Sequence, residues 1–423
     1  MIRHGFLPDS VIESTITPVV KNKNGDITSA SNYRPITIAS TMSKIIENLI
    51  LQSIEPLIKT TSNQFGFKKK HSTDLCNLIL KETIRNYNRL GSNIYACFID
   101  ASKAFDRVNH RKLFITLEQR KIPKVLLRFL IYWYGNQRMR ARWGNEFSDW
   151  FDVKNGVRQG GILSPLLFNL YVDVISKELN KTHIGCTIGK IIVNHLYYAD
   201  DLILFCPSHK GLQQLLNICN EIGLKLDIKF NETKTECIVF KTVKEEKITY
   251  NTFSLNGVSL AFCKKYKYLG HIVDENLNDD MDITRQMRSI YARGNKLINS
   301  FRHCTVDVKV VLFKTYISNF YCAHLWCNYG KSTFQKFKVA YNNIFRNFFN
   351  IRYLCSISKE MCDKTINVVN CVIRNYINSI MKRIYVSENE KIKCITDSDL
   401  MEYSKLIKLC HKYVYVIPCR NTE

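Results

Sequence analysis

The sequence predicts an α+β fold in which helices lie against a mostly antiparallel sheet, and three observations point there. The apolar run Ile94 to Ile99 has the length and continuity of a buried strand. Two short runs, His195 to Tyr198 and Leu202 to Phe205, flank Ala199-Asp200-Asp201 and read as a hairpin. Around them apolar residues recur at helical spacing, first Leu166, Leu167, Leu170, Tyr171, Val174 and Ile175, then Leu212, Leu215, Leu216, Cys219 and Ile222.

Each element follows from its residues. Residues 36 to 58 carry apolar positions at helical spacing (Ile45, Ile46, Leu49, Ile50, Ile54) after the break at Arg34-Pro35, so a helix starts near Thr41 or Ser43. A basic turn, Phe67-Lys68-Lys69-Lys70-His71, leads to a second helix that Ser72, Thr73 or Asp74 caps and Gly91 ends, past Arg89. The strand from Ile94 gives way to loop at Asp100, and a helix runs from about His110 to Arg120. Ser164-Pro165 supplies the N-cap and first-turn chemistry of the next helix. After the hairpin and the helix that follows it, Cys237 to Phe240 forms a last strand.

In order these elements are strand, helix, helix, hairpin, helix, strand, the ferredoxin-like β-α-β-β-α-β arrangement. The expectation is helices on one sheet face, with the other face open. Beyond residue 275 the chain reads as helical and rich in aromatics, among them Phe313, Tyr316, Phe320, Trp326 and Phe345.

Composition narrows the function classes. A length of 423 residues implies two or three subdomains. With 46% hydrophobic residues, 8 prolines and 17 glycines, the chain is globular rather than disordered. Lys and Arg number 61 against 37 Asp and Glu, a formal net charge of +24 that suits a polyanionic partner, nucleic acid first. A merely soluble basic protein is the plainer reading of the same charge. The 16 cysteines are scattered through apolar segments (Cys97, Cys206, Cys219, Cys237) and read as reduced, mostly buried thiols rather than a disulfide framework. Cys322, His324 and Cys327 lack the second half of a zinc site. No apolar run is long enough to span a membrane, and no secretory leader is seen. The expected location is intracellular, nuclear or cytoplasmic.

Three carboxylates carry the chemistry. Asp100 stands at a strand end, and Asp200 and Asp201 occupy a hairpin turn that the proposed sheet sets beside it. Alone, an Asp-Asp turn reads as a solvated hairpin tip and Asp100 as a cap. Brought together, they repel one another unless cations are present. Mg²⁺ prefers oxygen ligands shared with substrate phosphates. Two ions roughly 3.5–4 Å apart would activate a primer 3′-hydroxyl and stabilise departing pyrophosphate. Adjacent strand side chains diverge, so Asp200 is expected to be the firmer ligand of its pair. Asp106, past the strand end, is expected to cap or to form a local salt link.

At these residues the sequence resembles the reverse transcriptases of non-LTR retrotransposons, over about residues 5 to 330. Phe98-Ile-Asp-Ala-Ser-Lys-Ala-Phe-Asp-Arg-Val is similar to the family's first catalytic motif. Asn155-Gly-Val-Arg-Gln-Gly-Gly-Ile-Leu-Ser-Pro-Leu-Leu-Phe-Asn-Leu-Tyr is similar to its template and nucleotide motif, and Tyr198-Ala-Asp-Asp to its metal-binding hairpin. Asn32-Tyr-Arg-Pro-Ile and Gln64-Phe-Gly-Phe resemble the fingers motifs. Leu224-Lys-Leu, Asn231-Glu-Thr-Lys and Tyr268-Leu-Gly resemble the closing palm segments.

The resemblance implies a right-hand polymerase with fingers over 1–93, palm over 94–275, a helical thumb over 276–345 and a helical tail of unassigned role over 346–423. The partners implied are an RNA template, a DNA primer and deoxynucleoside triphosphates, with two Mg²⁺ ions, or Mn²⁺, as cofactor. Asp100, Asp200 and Asp201 would hold the metals with the Ala101 carbonyl. Phe105 occupies the steric-gate position against a ribose 2′-hydroxyl, and read alone it is a core aromatic. Lys21 and Arg34 match positions that contact the triphosphate, or are ordinary surface charges. Gln159, Gly160 and Gly161 would form a close-approach loop, or simply a turn. Lys234 resembles the lysine proposed to protonate pyrophosphate, against the reading of a solvated loop lysine.

The pattern also departs from the family's longer members. Fingers sequence follows Met1 almost at once, so nicking by an upstream endonuclease domain is not expected. No RNase H pattern or zinc knuckle follows residue 330. The alternatives are a group II intron maturase, which shares the palm motifs, and a catalytically silent RNA-binding remnant of an element.

Overall fold

The computed structural model describes residues 6–242, 251–397 and 404. The expected outer limits of the first and last segments, at residues 1–5 and beyond 397 apart from 404, lie outside the described residues, as does the stretch 243–250.

After a single helical turn at Asp9–Ile12 come two strands, β1 (Ser14–Val20) and β2 (Tyr33–Ala39), paired antiparallel from Ser14 opposite Ala39 to Val20 opposite Tyr33. Helix α1 (Thr41–Ile54) starts where the spacing predicts, and Ser40 Oγ caps it by accepting from the Ser43 N–H at 3.2 Å. Helix α2 (Thr73–Arg89) follows. Its N-terminus differs from the simple cap expected: Ser72 gives no capping bond and instead donates to the Asp74 carboxylate.

Strand β3 (Ile94–Ile99) leads to helix α3 (His110–Gln119), which Asn109 caps through the Lys112 N–H at 3.1 Å. Strand β4 (Arg138–Trp143) runs parallel to β1, from Met139 opposite Ser14. Helix α4 (Ser164–Lys181), strands β5 (His195–Tyr198) and β6 (Asp201–Cys206), helix α5 (His209–Lys225) and strand β7 (Glu236–Phe240) complete the central unit. A hairpin of β8 (Lys265–Tyr268) and β9 (His271–Asp274) then leads to a helical region with α6 (Asp280–Phe301), α7 (Lys331–Phe349), α8 (Val369–Tyr385) and α9 (Glu390–Asp397).

The central sheet has the strand order β7-β3-β6-β5, extended beyond β7 by Ala261–Phe262. This is the spatial order of a β-α-β-β-α-β unit, as the element sequence implies. Register places Leu202 opposite Ile99 and Cys237 opposite Cys97. On one face Cys97, Ile99, Leu202 and Leu204 pack against α4 and α5 through Leu167, Leu170, Leu212 and Leu215.

The other face is not open, which corrects the expectation. Ala96, Phe98, Ile203, Phe205, Ile238 and Phe240 are buried beneath α2 (Leu75, Leu78, Ile79), the β8–β9 hairpin (Tyr268, Val273) and α8 (Ile377, Ile380). The cause lies in the strands: every side chain of β3 is apolar or aromatic, so both faces need cover.

The helical region has its own core, where Phe313, Phe320, Tyr341 and Phe345 meet. Gly294 of α6 admits α7 closely, since a Cβ there would lie 2.6 Å from Ile344. A buried polar cluster joins this region to α2: Lys81 Nζ donates to Asp279 Oδ1 at 2.5 Å, and His271 Nδ1 lies 3.1 Å from Asp282. No helix among the described residues is long and apolar enough to cross a membrane.

Candidate active site

The site begins at the end of β3. Past Ile99 the chain is clamped by the segment before β7: Asp100 accepts from the Asn231 N–H at 2.8 Å, and Ser102 donates its N–H to Lys229 at 3.0 Å. Lys103 then takes a left-handed conformation (φ 50°) and a 3₁₀ turn, Ala104–Arg107, carries Phe105. The Phe105 ring stacks on Phe168 of α4, centroids 4.3 Å apart and planes 12° from parallel. Phe67 meets the Phe105 ring edge-on at 6.2 Å.

The hairpin β5–β6 turns through Ala199 and Asp200, with Ala199 at φ 58°. That strained turn is braced from outside. Gln64 Oε1 accepts from the Ala199 N–H at 3.1 Å and from the Gly66 N–H at 2.8 Å. At Gly66 any side chain would collide, because a Cβ would stand 2.2 Å from Ala199 N. The Gln64-Phe-Gly stretch thus serves as a backbone support for the acidic turn.

These elements enclose a cavity of about 1110 Å³. It brings together Asp100, Ala101, Phe105, Gln159, Asp200, Lys234, Lys21 and Arg34 from the sequence-derived set. Asp201 and Gly160 lie elsewhere. Asp201 lines a smaller adjoining recess with Tyr266, Tyr268 and Leu269, because its side chain follows the strand alternation of β6 onto the opposite side from Leu202. Asp100 and Asp201 continue the β3–β6 register past Ile99 and Leu202, so the two backbones stand opposite each other. Among the described residues, no three His, Cys, Asp or Glu side chains converge on one ion position.

Gly160, at φ 114°, packs against β2 rather than lining the cavity: a Cβ would sit 2.9 Å from the Thr37 carbonyl. Gln159 is fixed beside it, its carbonyl accepting from the Thr37 N–H at 2.7 Å, while its side-chain Oε1 is buried without a hydrogen-bond partner among the described residues. Lys21 Nζ donates to the Ser31 carbonyl at 2.9 Å. Lys234 follows a turn in which Asn231 Oδ1 accepts from the Thr233 and Lys234 N–H groups. Among the described residues Asp106 makes neither a cap bond nor an ion pair within contact distance, although Lys103 and Lys21 act on its charge; it lies exposed on the cavity wall. Trp143 and Tyr33, which sequence reasoning passed over, also line the cavity.

The electrostatics are those of carboxylates short of counter-charge. Asp200 and Asp201 reach solvent yet sit low among surrounding protein, and this partial desolvation is the main force raising both pKa values. Repulsion from Asp100 adds to it at Asp200, where Arg34 pulls the other way. At Asp201, repulsion from Asp200 and Asp100 brings the value to about 6. An all-oxygen donor set under mutual repulsion fits a hard divalent cation.

Comparison with known proteins places the chain in a family. The family model described as reverse transcriptase (RNA-dependent DNA polymerase) matches residues 20–273, more than half of the chain. The chain is 24% identical over 404 residues to the RNA-directed DNA polymerase from mobile element jockey of Drosophila funebris, covering 91% of this chain and 43% of that protein. It is 26% identical over 336 residues to the probable RNA-directed DNA polymerase from transposon BS of Drosophila melanogaster, covering 75% of this chain and 36% of the relative. It thus spans less than half the length of these curated relatives. Among solved structures, telomerase from Candida tropicalis with a fragment of telomeric RNA aligns at a TM-score of 0.48 and 14% identity, over 97% of this chain and 63% of that one.

Proposed function

Because the chain belongs to the reverse transcriptase family, we propose that it is the polymerase portion of a non-LTR retrotransposon enzyme, extending a DNA primer on an RNA template with deoxynucleoside triphosphates. One observation carries the reading: Asp100 and Asp200, from separate motifs, share a single cleft with Arg34, Lys21 and Phe105. In this reading residues 1–93 are the fingers, 94–275 the palm and 276–345 the thumb.

The roles follow from the side chains. Asp100 and Asp200, with the Ala101 carbonyl and with Asp201 from the adjoining recess, would hold two Mg²⁺ ions, which when bound supply charge neutralisation for in-line displacement. Arg34 offers a guanidinium fork and Lys21 a point charge to the triphosphate. The Gln159 Oε1 acceptor, buried and without a partner among the described residues, is available to a donor on the nucleotide or template. Lys234 carries a proton that can be delivered to the leaving pyrophosphate. The Phe105 ring narrows the space beside the sugar and so disfavours a 2′-hydroxyl.

Primer extension on an RNA template, with and without Mg²⁺, tests the proposal. Wild-type protein should extend only with the metal. Asp200→Ala should lose roughly 100-fold or more of the rate, since metal-centred charge stabilisation amounts to several kcal/mol. Extension by the variant at the wild-type rate would refute the assignment of Asp200.

A further inference from the structure

Trp143 ends β4 on the wall of the same cleft, and 62% of its surface is exposed. A tryptophan turned to water in this way is unusual, because its ring offers a large apolar area that burial would stabilise. Nor is it loosely hung. Its ring meets that of Tyr33 edge-on, centroids 5.3 Å apart and planes 66° from each other. Tyr33 in turn is anchored, its hydroxyl donating to the Ile27 carbonyl at 2.7 Å. Ile27 lies on the same wall and is 63% exposed. A braced aromatic ring with a free face and an apolar neighbour is preorganised to receive a flat partner.

The charge around it narrows what that partner is. Lys21, Arg34, Lys103, Arg107 and Lys234 line the same cavity. A ligand that presents a flat unsaturated face and carries several negative charges satisfies both features. Nucleotides do so, since every base has a π-face and stacking on aromatics tolerates any sequence.

We propose that Trp143, braced by Tyr33, is a nucleobase-stacking site on the cleft wall. This rests on the reading of the cleft as the place of polymerisation, and it adds to that reading a contact to base rather than to phosphate, sugar or metal. The base comes either from the unpaired template strand or from the incoming nucleotide.

The whole chain is titrated with a single-stranded RNA oligonucleotide and, separately, with a deoxynucleoside triphosphate and Mg²⁺, following tryptophan fluorescence. Of the four tryptophans Trp133 and Trp326 are buried and Trp150 is partly covered, so Trp143 is the one a stacking base can reach most directly. Quenching should occur and should vanish in Trp143→Phe, whose ring keeps the affinity. Trp143→Ala should weaken binding about 5- to 150-fold, the range that base–aromatic stacking spans on alanine substitution. Loss confined to the RNA arm identifies the template as the source, and loss confined to the nucleotide arm identifies the incoming base; either supports the site. Quenching that persists in Trp143→Phe, or affinities unchanged in Trp143→Ala in both arms, would overturn it. Primer extension by the wild type is scored in parallel. An active enzyme indifferent to Trp143 sinks this inference alone, whereas an inactive protein that still shows the Trp143 response sinks the polymerase reading alone.

Discussion

The rings of Phe105 and Phe168 lie nearly parallel, 4.3 Å between centroids, so the ring proposed as the sugar gate is held from behind by a residue of α4. An aromatic pair of this kind contributes about 0.5–1.5 kcal/mol beyond its buried area. Removing the gate ring in Phe105→Val should admit ribonucleotides. Phe168→Leu should loosen the same ring and lower discrimination about 2- to 12-fold, the equivalent of that energy. The check is the ratio of deoxynucleotide to ribonucleotide incorporation, in single variants and in Phe105→Val/Phe168→Leu. If Phe168 acts through Phe105, the second substitution adds nothing to the first. Because Phe168 is buried, Phe67→Leu provides an independent variant whose exposed position burdens folding little.

Metal binding can be read without catalysis. A ligand that binds only the native state stabilises it by RT ln(1 + [L]/Kd), about 2.7 kcal/mol at a hundredfold excess over Kd. Mg²⁺ should therefore raise the thermal midpoint of the wild type. Asp100→Asn and Asp200→Asn should lose most of that gain, and Asp106→Asn should keep it, since Asp106 lies outside the proposed ligand set. Equal gains in all four proteins would show that the ions bind elsewhere.

Much of the architecture was legible because strong local patterns coincide with tertiary needs. The run Ile94 to Ile99 is strand in the structure, and the hairpin about Ala199-Asp200 falls where two apolar runs meet a polar turn. Misreading the second sheet face came from weighing helices against one side only. Uniform burial of Ile94, Ala96 and Phe98 was already written in the absence of polar residues at alternate positions. Strands β1 and β2 escaped notice for another reason: each carries a proline, Pro18 and Pro35, and β1 finds its other partner in β4, far along the chain. Trp143 left no signal, because a single aromatic in a polar hairpin has no period. That Asp201 turns into the adjoining recess follows from strand alternation, which did favour Asp200.

Acid sensitivity should arise at His195, at the start of β5. Burial, and then the nearby Lys391 charge, bring its pKa down to about 3. The ring is held neutral between Ser176 Oγ at 2.6 Å and Asn194 Oδ1 at 2.7 Å. The unfolded chain takes up a proton at this histidine near pH 6.5, and the folded chain does not until far lower. The contribution of His195 is therefore whole above pH 6.5 and is lost progressively as pH falls toward 3. Between pH 6.5 and 4.5 the loss should be roughly 2–3 kcal/mol at about 1.4 kcal/mol per unit. Urea unfolding across this range measures it. His195→Gln should be less stable at neutral pH but show a flatter slope, and an unchanged slope would assign the acid lability to other groups.

Among the described residues after 346, in the segment expected as a helical tail of unassigned role, helix α8 is fastened to the central unit. Arg383 of α8 donates to the Asp74 carboxylate at the start of α2, and His324 Nε2 lies 3.1 Å from the same group. Burial pushes the Asp74 pKa up, but the adjacent His324 ring and hydrogen bonds from Arg383 and Ser72 outweigh it and hold the carboxyl well below the usual carboxylate range. Nearby, Ile377 and Ile380 of α8 cover the second face of the central sheet. Removing Arg383 leaves the largely buried Asp74 charge with only His324 and Ser72 beside it, and breaking a buried pair costs about 3–5 kcal/mol when both groups are deep. Arg383 is about one-third exposed, so solvent screening reduces the expected cost of Arg383→Ala to roughly 2 kcal/mol. Asp74→Asn should cost a similar amount, and the double variant less than the sum. Additive losses, within about 0.5 kcal/mol in a double-mutant cycle, would mean that the two side chains do not work together and that α8 is held by its apolar face alone.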